Sequence, residues 1–296
     1  MAKIEIGITQ KLTVVRTAEF GVYLGLPGKD PEEAVLLPKK QVPGSAHIGS
    51  EITVFVYRDS EDRIIATTNI PLVKRGQFGY LKVKGVTKVG AFLDWGLEKD
   101  LFMPFKEQEE PVRAGDKVMV YVYLDKSGRL CASGKLYARL KSAGYREFKD
   151  NDDFTGVVYR TEKEHGVFVA VFPKKEADLA GEFALDELYF GLIPPTEAFR
   201  KYRVGELVTG RVMRVRKDRK LDVSERGKIP EMLDKDGETI LKKIDEYGGA
   251  LPFSEGASPE IIKRELSMSK NAFKRALGHL LKAGKIEIKE EEVIRK

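Results

Sequence analysis

Residues 90–104, GAFLDWGLEKDLFMP, hold the pattern that decides the fold. The stretch begins with a glycine, a variable residue, an aromatic residue and an aliphatic one, and it ends with apolar residues and a proline. Similar stretches begin at Gly21 and Gly166, and in all three the proline is followed 11 positions later by another glycine. A pattern that returns in the same order and spacing indicates an internal repeat, so the chain contains three copies of one unit.

Each repeat predicts about five short strands. Residues 52–57 (ITVFVY) and 118–123 (VMVYVY) are rich in the β-branched and aromatic residues that favour strands. The segments 59–62 and 125–128 have the composition of hairpin turns. Five strands in a repeat of about 60–70 residues are too few for a sandwich and predict a small closed barrel. The glycine before each aromatic residue further predicts a bulge in the second strand.

The third repeat differs from the other two in length and in charge. Its opening glycine and its proline are 28 positions apart, against 17 and 14 in the first two, which predicts an insertion near residues 173–189. Its segment 200–220 carries nine basic and two acidic residues, whereas residues 1–70 carry eight and nine. Because salt screens charges beyond about 8 Å, a dense cluster of cations attracts a polyanion better than the same charge spread out. The alternative is a solvated strand edge, where Lys and Arg discourage aggregation.

The last 60 residues change from strand-like to helical patterning. Apolar residues within 236–247 are spaced for one face of a helix, which two glycines then end. Ser258-Pro259 predicts the capped start of a second helix, and a third is predicted over about 270–282. Two short strands at 286–288 and 293–294 complete the order of elements in a winged helix.

Composition and motifs exclude several classes of protein. The chain has a net charge of +6, one cysteine and three histidines without metal-ligand spacing, which excludes a disulfide framework and a thiolate metal cluster. It has no run of 18 apolar residues and no apolar core of a secretion signal near residue 1, so we expect no membrane span. We find no catalytic constellation and no phosphate-binding glycine loop. We therefore expect a cytoplasmic protein that is not an enzyme, with no cofactor and no small-molecule substrate.

The order and spacing of these motifs resemble a known architecture. Each repeat resembles the RNA-binding repeat of ribosomal protein S-one, an OB-fold barrel. Three such repeats followed by a winged helix resemble the bacterial conserved virulence factor B family, over about residues 3–290. The resemblance implies a mainly β chain with three tandem five-stranded OB-fold barrels of the S-one type, followed by an α+β winged helix domain. The expected boundaries are 1–70, 71–146, 147–228 and 229–296.

The resemblance also implies RNA-binding residues, because a single strand stacks its bases on aromatic side chains and its phosphates follow cations. The implied stacking positions are Phe20, Tyr23, Phe92, Phe102, His165 and Phe168, and the implied cations beside them are Arg63, Arg129 and Lys220. The basic segment adds Arg211, Arg214, Arg216, Lys217 and Arg219, and the third C-terminal helix adds Lys270, Lys274 and Arg275. An aromatic residue in a small barrel is equally expected to belong to the core. All three repeats also depart from the typical repeat, with Pro38, Pro104 and Pro194 where it has a histidine.

The function implied by the resemblance is post-transcriptional regulation of gene expression, including virulence factors in a pathogen. The partner is expected to be single-stranded RNA, bound mainly through the third barrel and the winged helix. Two alternatives remain open. The winged helix could make the protein a DNA-binding transcription regulator, since that fold also binds duplex DNA. The barrels could instead be a scaffold that docks on the ribosome or another protein, which the prolines at the histidine position favour.

Overall fold

The chain folds into two units, residues 1–225 and 226–296. The structure is a computed structural model that describes residues 3–28, 33–143, 147–176, 179, 181–226 and 229–296. The expected boundaries at 146 and 228 and part of the expected insertion lie outside the described residues.

Three small barrels make up the first unit. In each barrel the strands follow the order first, second, third, fifth, fourth, and the first strand also pairs with the fourth, which closes the barrel. This is a Greek-key order for a five-stranded OB-fold, so the predicted fold class is confirmed. The first barrel contains β1 (Thr9–Ala18), β2 (Gly21–Gly25), β3 (Val35–Pro38), β4 (Glu51–Arg58) and β5 (Ile64–Thr67). The second contains β6 (Phe78–Val86), β7 (Gly90–Leu93), β8 (Leu101–Pro104), β9 (Lys117–Leu124) and β10 (Leu130–Ser133). The third contains β11 (Asp153–Glu162), β12 (Gly166–Val171), β14 (Tyr189–Ile193), β15 (Leu207–Val215) and β16 (Leu221–Ser224), with β13 (Phe183–Leu185) outside its barrel.

A glycine begins the second strand of every barrel because no other residue fits there. Gly21, Gly90 and Gly166 have φ angles of 155°, 156° and 104°, which side chains rarely tolerate. A Cβ atom at Gly21 would lie 2.0 Å from the carbonyl oxygen of Leu37. The repeated glycine of the sequence therefore marks the close approach of the second and third strands.

The predicted bulge lies in the first strand of each barrel, so its placement in the second strand was wrong. The register of β1 against β2 shifts between Val14 and Arg16, and that of β11 against β12 shifts between Val158 and Arg160. The extra residue lies opposite the Gly-x-aromatic motif rather than within it. The motif signals the bulge, and the paired strand contains it.

The first and second barrels share an apolar interface. Phe55 of β4 is fully buried, and its ring meets Trp95 of the second barrel edge to face, with ring centroids 5.8 Å apart. Trp95 is also buried, and its indole N–H donates a hydrogen bond of 2.6 Å to the carbonyl oxygen of Lys99. The indole is thus satisfied within the interface, where a buried polar group without a partner would be costly.

The second and third barrels are joined by a strand and by a larger cluster. β13 pairs antiparallel with β6, so the insertion in the third barrel extends the sheet of the second. The Tyr80 hydroxyl donates a hydrogen bond of 2.8 Å to the carbonyl oxygen of Gly205 across the same interface. The buried cluster contains Phe78, Tyr80, Met119 and Leu136 of the second barrel and Val157, Tyr159, Phe168, Ala170, Phe172, Phe183, Leu185, Leu188 and Phe190 of the third.

The second unit is a winged helix. Its elements are α1 (Ile229–Glu246), β17 (Ala250–Leu251), α2 (Pro259–Leu266), α3 (Lys270–Lys282), β18 (Ile286–Ile288) and β19 (Val293–Arg295). α1 begins earlier than residue 236 and continues through Gly237, where a Cβ atom would lie 3.1 Å from Leu280 of α3. Glycine at this position lets the two helices approach closely. Among the described helices, none is long and apolar enough to cross a bilayer.

The serine before α3, Ser269, caps this helix. Ser269 has an extended backbone, and its hydroxyl accepts a hydrogen bond of 3.2 Å from the Ala272 N–H. We expect Ser269→Ala to lower the free energy of unfolding of this unit by about 1 kcal/mol, because a helix N–H loses its partner. Ser269→Asp retains an acceptor and is the matched control. Chemical denaturation followed by circular dichroism measures both, and equal losses in the two variants would contradict the capping role.

Candidate nucleic-acid interface

One face of each barrel carries a row of four residues that lie side by side across the second, third, fifth and fourth strands. The neighbours of these residues along each strand point into the barrel core, so the row faces outward. This is the side on which OB-folds bind oligonucleotides. The rows are Tyr23, Leu36, Ile65 and Tyr57 in the first barrel, Phe92, Phe102, Cys131 and Tyr123 in the second, and Phe168, Leu192, Asp222 and Arg214 in the third.

The row of the second barrel is open and aromatic. Phe92 and Phe102 are half-buried, and their ring centroids lie 5.2 Å apart with an angle of 38° between the rings. Gly85 lies opposite Phe92 on the neighbouring strand and has no atom within 4 Å of where a Cβ would be. The two aromatic residues that the sequence assigned to this barrel are therefore adjacent, and together they line a cavity of about 370 Å³.

In the first barrel, an arginine covers one of the two aromatic members of the row. The Arg16 guanidinium lies 4.1 Å from the ring centre of Tyr23, which is half-buried. Phe20 is 64% exposed at the turn before β2 and stands apart from the row. Arg63 forms ion pairs of 2.7 Å with both Asp59 and Glu61, so two acidic neighbours screen this predicted cation.

The prediction that Phe168 offers a stacking surface is wrong. Phe168 is 9% exposed, and its ring packs edge to face against Tyr159 and Phe190, each at 6.1 Å between centroids. The Arg160 guanidinium lies over the same ring at 5.2 Å. Phe168 and its row neighbour Leu192 pack in the cluster that the second and third barrels share. The alternation of the sequence shows which residues point out of a barrel, but it does not show which of them a neighbouring barrel covers. His165 is exposed at the adjacent turn and forms a contact of 2.8 Å with the Glu162 carboxylate.

The basic cluster of the third barrel is smaller than its sequence suggests. The Nε atoms of Arg214 and Arg216 donate hydrogen bonds of 2.6 and 2.7 Å to the two oxygens of Asp222, whose side chain is 3% exposed. Two cations thus share one buried carboxylate. Lys220 donates a hydrogen bond of 3.1 Å to the Tyr137 hydroxyl, which raises the pKa of the lysine, and its ammonium lies 4.8 Å from the Phe190 ring centre.

Three further predicted cations lie on the same part of the third barrel. Arg211 donates a hydrogen bond of 3.4 Å to the Asn151 side chain. Lys217 and Arg219 are exposed at the turn between β15 and β16, where Arg219 has a positive φ of 63°. This turn is one of the loops that flank the binding face of an OB-fold. Its exposed cations therefore remain available for phosphates.

The cavity of the second barrel is completed by the first. Tyr57 and Arg58 of β4 and Asp62 of the following turn line it together with Phe92 and Phe102. Arg129 donates hydrogen bonds of 3.0 and 2.8 Å to the Asp62 carboxylate across the two barrels, and these hold the pKa of that carboxyl below its ordinary value. Arg129, predicted as a phosphate contact, thus also links the barrels.

The predicted cations of α3 differ in exposure. Lys274 and Arg275 are exposed, whereas Lys270 is half-buried in the first turn of the helix. The Lys274 ammonium lies 3.7 Å from the Glu255 carboxylate, and both side chains are about half exposed. An ion pair of this kind contributes little and is screened by salt. Arg275 is therefore the more accessible charge of the two.

Comparison with known proteins assigns these domains. The S1 domain family model matches residues 6–69 and 75–135, and the CvfB-like winged helix domain model matches 238–294. The model for the second domain of virulence regulatory factor CvfB matches 138–227. Conserved virulence factor B of Staphylococcus saprophyticus is 30% identical over 91% of this chain and 90% of its own length. The chain belongs to the conserved virulence factor B family.

Two further proteins resemble this member of the conserved virulence factor B family over most of its length. An uncharacterized protein of Bacillus subtilis, YitL, is 30% identical over 93% of this chain and 88% of its own length. The crystal structure of a multidomain protein with nucleic acid binding domains from Streptococcus pneumoniae has a TM-score of 0.50 and 25% identity, with 98% of each chain covered. S1 domains and winged helices are nucleic-acid-binding domain types, so this conserved virulence factor B family member is built from such domains.

Sequence reasoning missed the contribution of the first barrel to the cavity in this conserved virulence factor B family member. Tyr57 and Tyr123 occupy the same place in their repeats, within 52–57 and 118–123, so the alignment of the repeats contained a signal for the row. Arg58 and Lys99 also line the cavity, but they carried no such signal, because their positions depend on how the first two barrels pack.

Cys131, in the outward row of the second barrel, is expected to be unreactive. Cys131 is 3% exposed, and burial, followed by the nearby Asp125 carboxylate, raises the pKa of its thiol to about 11. Because the thiolate is the nucleophile, we expect alkylation by iodoacetamide at pH 8 to be at least 100-fold slower than for a free cysteine with a pKa of about 8.5. Intact-mass spectrometry of the native chain measures the rate, with the denatured chain as control. Rapid alkylation of the native chain would contradict the burial of this residue.

Proposed function

We propose that this chain is a cytoplasmic, non-catalytic protein that binds single-stranded RNA and regulates gene expression after transcription. The observation that carries the proposal is the open row of the second barrel, where Phe92 and Phe102 lie side by side on the binding face of an OB-fold. Aromatic side chains of this kind stack on bases of any sequence. The buried free thiol of Cys131 is consistent with a reducing compartment.

The distribution of exposed charge supports the same proposal. The cavity of the second barrel is lined by three cations, Arg58, Lys99 and Arg129, and by three carboxylates, Asp62, Asp100 and Asp125. Exposed Lys217 and Arg219 lie at the turn of the third barrel. Phosphate contacts from such side chains release counterions, so the affinity falls as salt rises. The third barrel would then contribute phosphate contacts through its turn, while base stacking takes place on the second barrel. This proposal differs from the expectation that the third barrel and the winged helix supply most of the affinity.

Fluorescence anisotropy of the whole chain tests the proposal. The probes are a labelled 12-nucleotide RNA, the DNA strand of the same sequence and the RNA duplex, each at about 50 and 200 mM salt. We expect the tightest binding to the single-stranded RNA and a loss of affinity at the higher salt. Equal affinity for the RNA and DNA strands would contradict RNA preference. Absence of binding to all three probes would overturn the proposal and favour docking on a protein or on the ribosome.

A second candidate function is duplex DNA binding by the winged helix. The exposed Lys274 and Arg275 on α3 favour it, because the corresponding helix of this fold lies in the major groove. Glu290, Glu291 and Glu292 lie between β18 and β19, at the tip of the wing, where they would repel phosphates. Specific binding of a DNA duplex that is lost in the Lys274→Ala, Arg275→Ala double variant would establish this function. Loss of RNA affinity alone in that variant would assign α3 to the RNA.

A further inference from the structure

A small cavity lies between the second and third barrels. Met103, Gln108 and Val118 of the second barrel line it, together with Tyr159 and Val204 of the third. The cavity offers about 10 Å³ to the centre of a water molecule, which is close to the least space that one water needs. It therefore has room for one group of the size of water.

Two side chains that line this cavity end in buried polar atoms without a protein partner. Among the described residues, no atom forms a hydrogen bond with the Tyr159 hydroxyl or with the Gln108 amide oxygen. Tyr159 is only 2% exposed. The Gln108 amide nitrogen donates a hydrogen bond of 3.3 Å to the Met103 carbonyl oxygen, so its amide oxygen is the atom left for the cavity. Since buried polar atoms nearly always have a partner, these two indicate a group that bridges them.

The bulge in β11 brings the tyrosine to this cavity. Tyr159 is the extra residue of the bulge, between Val158 and Arg160. The corresponding residues are Val15, which is half-buried, and Lys84, which is exposed. The Tyr159 ring instead packs in the cluster that the second and third barrels share. A hydroxyl group thus enters the interface at a position where the other two repeats have none.

The charges around the cavity favour a neutral group over a cation. The Glu110 carboxylate accepts a hydrogen bond of 2.8 Å from the Thr161 hydroxyl, and the Glu109 carboxylate lies 4.0 Å from the Arg160 guanidinium. Both carboxylates therefore have partners already, and the guanidinium would repel a metal ion. A water molecule both accepts and donates hydrogen bonds, which suits a tyrosine hydroxyl on one side and an amide oxygen on the other.

We propose that this cavity binds one ordered water molecule, which accepts a hydrogen bond from the Tyr159 hydroxyl and donates one to the Gln108 amide oxygen. The water is then a polar link between the barrel with the open aromatic row and the barrel with the exposed cationic turn. It acts beside the direct hydrogen bond from Tyr80 to the carbonyl oxygen of Gly205. Such a link joins the two barrels whether or not RNA binds.

Replacing Tyr159 by phenylalanine tests the water through the sign of the change in Tm. If the water is bound, Tyr159→Phe removes one of its hydrogen bonds, and we expect the Tm of residues 1–225 in the whole chain to fall by roughly 2–4 °C. If the cavity is dry, the same change removes a buried hydroxyl that has no partner. The Tm would then stay the same or rise, and the proposal would be overturned.

Tyr80→Phe is the matched control for this measurement. It removes a buried hydroxyl that already has a partner in the same interface, so its Tm should fall by a similar amount. Scanning calorimetry of the whole chain measures both variants.

A second variant, Gln108→Met, tests whether one water serves both side chains. Methionine is similar in size to glutamine and has no oxygen to accept a hydrogen bond. Because the same water would be lost or loosened in each single variant, the double variant should lose less Tm than the sum of the two. Additive losses would overturn the bridge.

A high-resolution crystal structure of the whole chain locates the water directly. We expect one density peak within about 3.2 Å of both the Tyr159 hydroxyl and the Gln108 amide oxygen, and its loss or displacement in Tyr159→Phe. A cavity without density, or a direct hydrogen bond between the two side chains, would overturn the proposal. A Tm that is higher in potassium chloride than in sodium chloride, with the difference absent from Tyr159→Phe, would assign the site to a cation instead.

Discussion

Replacing Phe92 and Phe102 together by alanine is expected to weaken the binding of single-stranded RNA about 30-fold or more, or roughly 2 kcal/mol, because each stacked base contributes about 1–3 kcal/mol. The two rings are adjacent at 5.2 Å and half-buried on the face of the second barrel. Alanine removes both flat surfaces and leaves the cations in place. The loss should therefore appear at every salt concentration, with little change in the slope of affinity against salt.

Anisotropy with the 12-nucleotide RNA measures this effect, and Phe105→Ala is its control. Phe105 follows β8 directly, is 48% exposed and does not line the cavity. Thermal unfolding of both variants shows that the barrels remain folded. An unchanged affinity in the folded double variant would remove the second barrel from the binding site and with it the observation that carries the proposed function.

Replacing Phe172 by alanine is expected to lower the free energy of unfolding of residues 1–225 by about 3–5 kcal/mol, as for other large aromatic residues removed from a core. Phe172 is 1% exposed, and its ring meets Phe183 edge to face at 5.4 Å. Phe183 belongs to β13, which pairs with the second barrel. The variant therefore opens a cavity in the cluster that joins two barrels.

Urea denaturation followed by circular dichroism measures this loss. Leu207→Ala is the control, because Leu207 is 44% exposed at the start of β15 and should change stability by less than about 0.5 kcal/mol. A shared cluster also predicts that the second and third barrels unfold in one transition. A loss below 1 kcal/mol in Phe172→Ala, or separate transitions in the unchanged chain, would contradict the joint core.

The barrels themselves were predictable because each depends on local signals. Gly21, Gly90 and Gly166 mark the close contact of the second and third strands, and no other residue satisfies it. The turns at 59–62 and 125–128 contain aspartates that accept hydrogen bonds from their own backbone, which is the local chemistry that such turns need. Both signals depend only on contacts within one repeat. Their recurrence along the chain therefore made them easy to recognise.

The candidate site was less predictable because it depends on contacts between repeats. Phe92 and Phe168 have the same place in the motif, but one lines an open cavity and the other is buried against a neighbouring barrel. Arg214 and Arg216 appeared as free cations because Asp222, their shared partner, lies in another strand. When the repeats are aligned, Asp222 takes the place of Ile65 and Cys131 in the other two. A carboxylate at this position was the signal in the sequence that nearby arginines have a partner.

The pairing of β13 with β6 also affects folding during synthesis at the ribosome. The edge of β6 at Phe78–Tyr80 is complete only when residues 183–185 have been synthesised. At about 5–20 residues per second, this edge waits roughly 5–20 s for its partner. During that interval the nascent second barrel presents an unpaired strand edge beside apolar side chains, the kind of surface that chaperones bind and that aggregates when crowded.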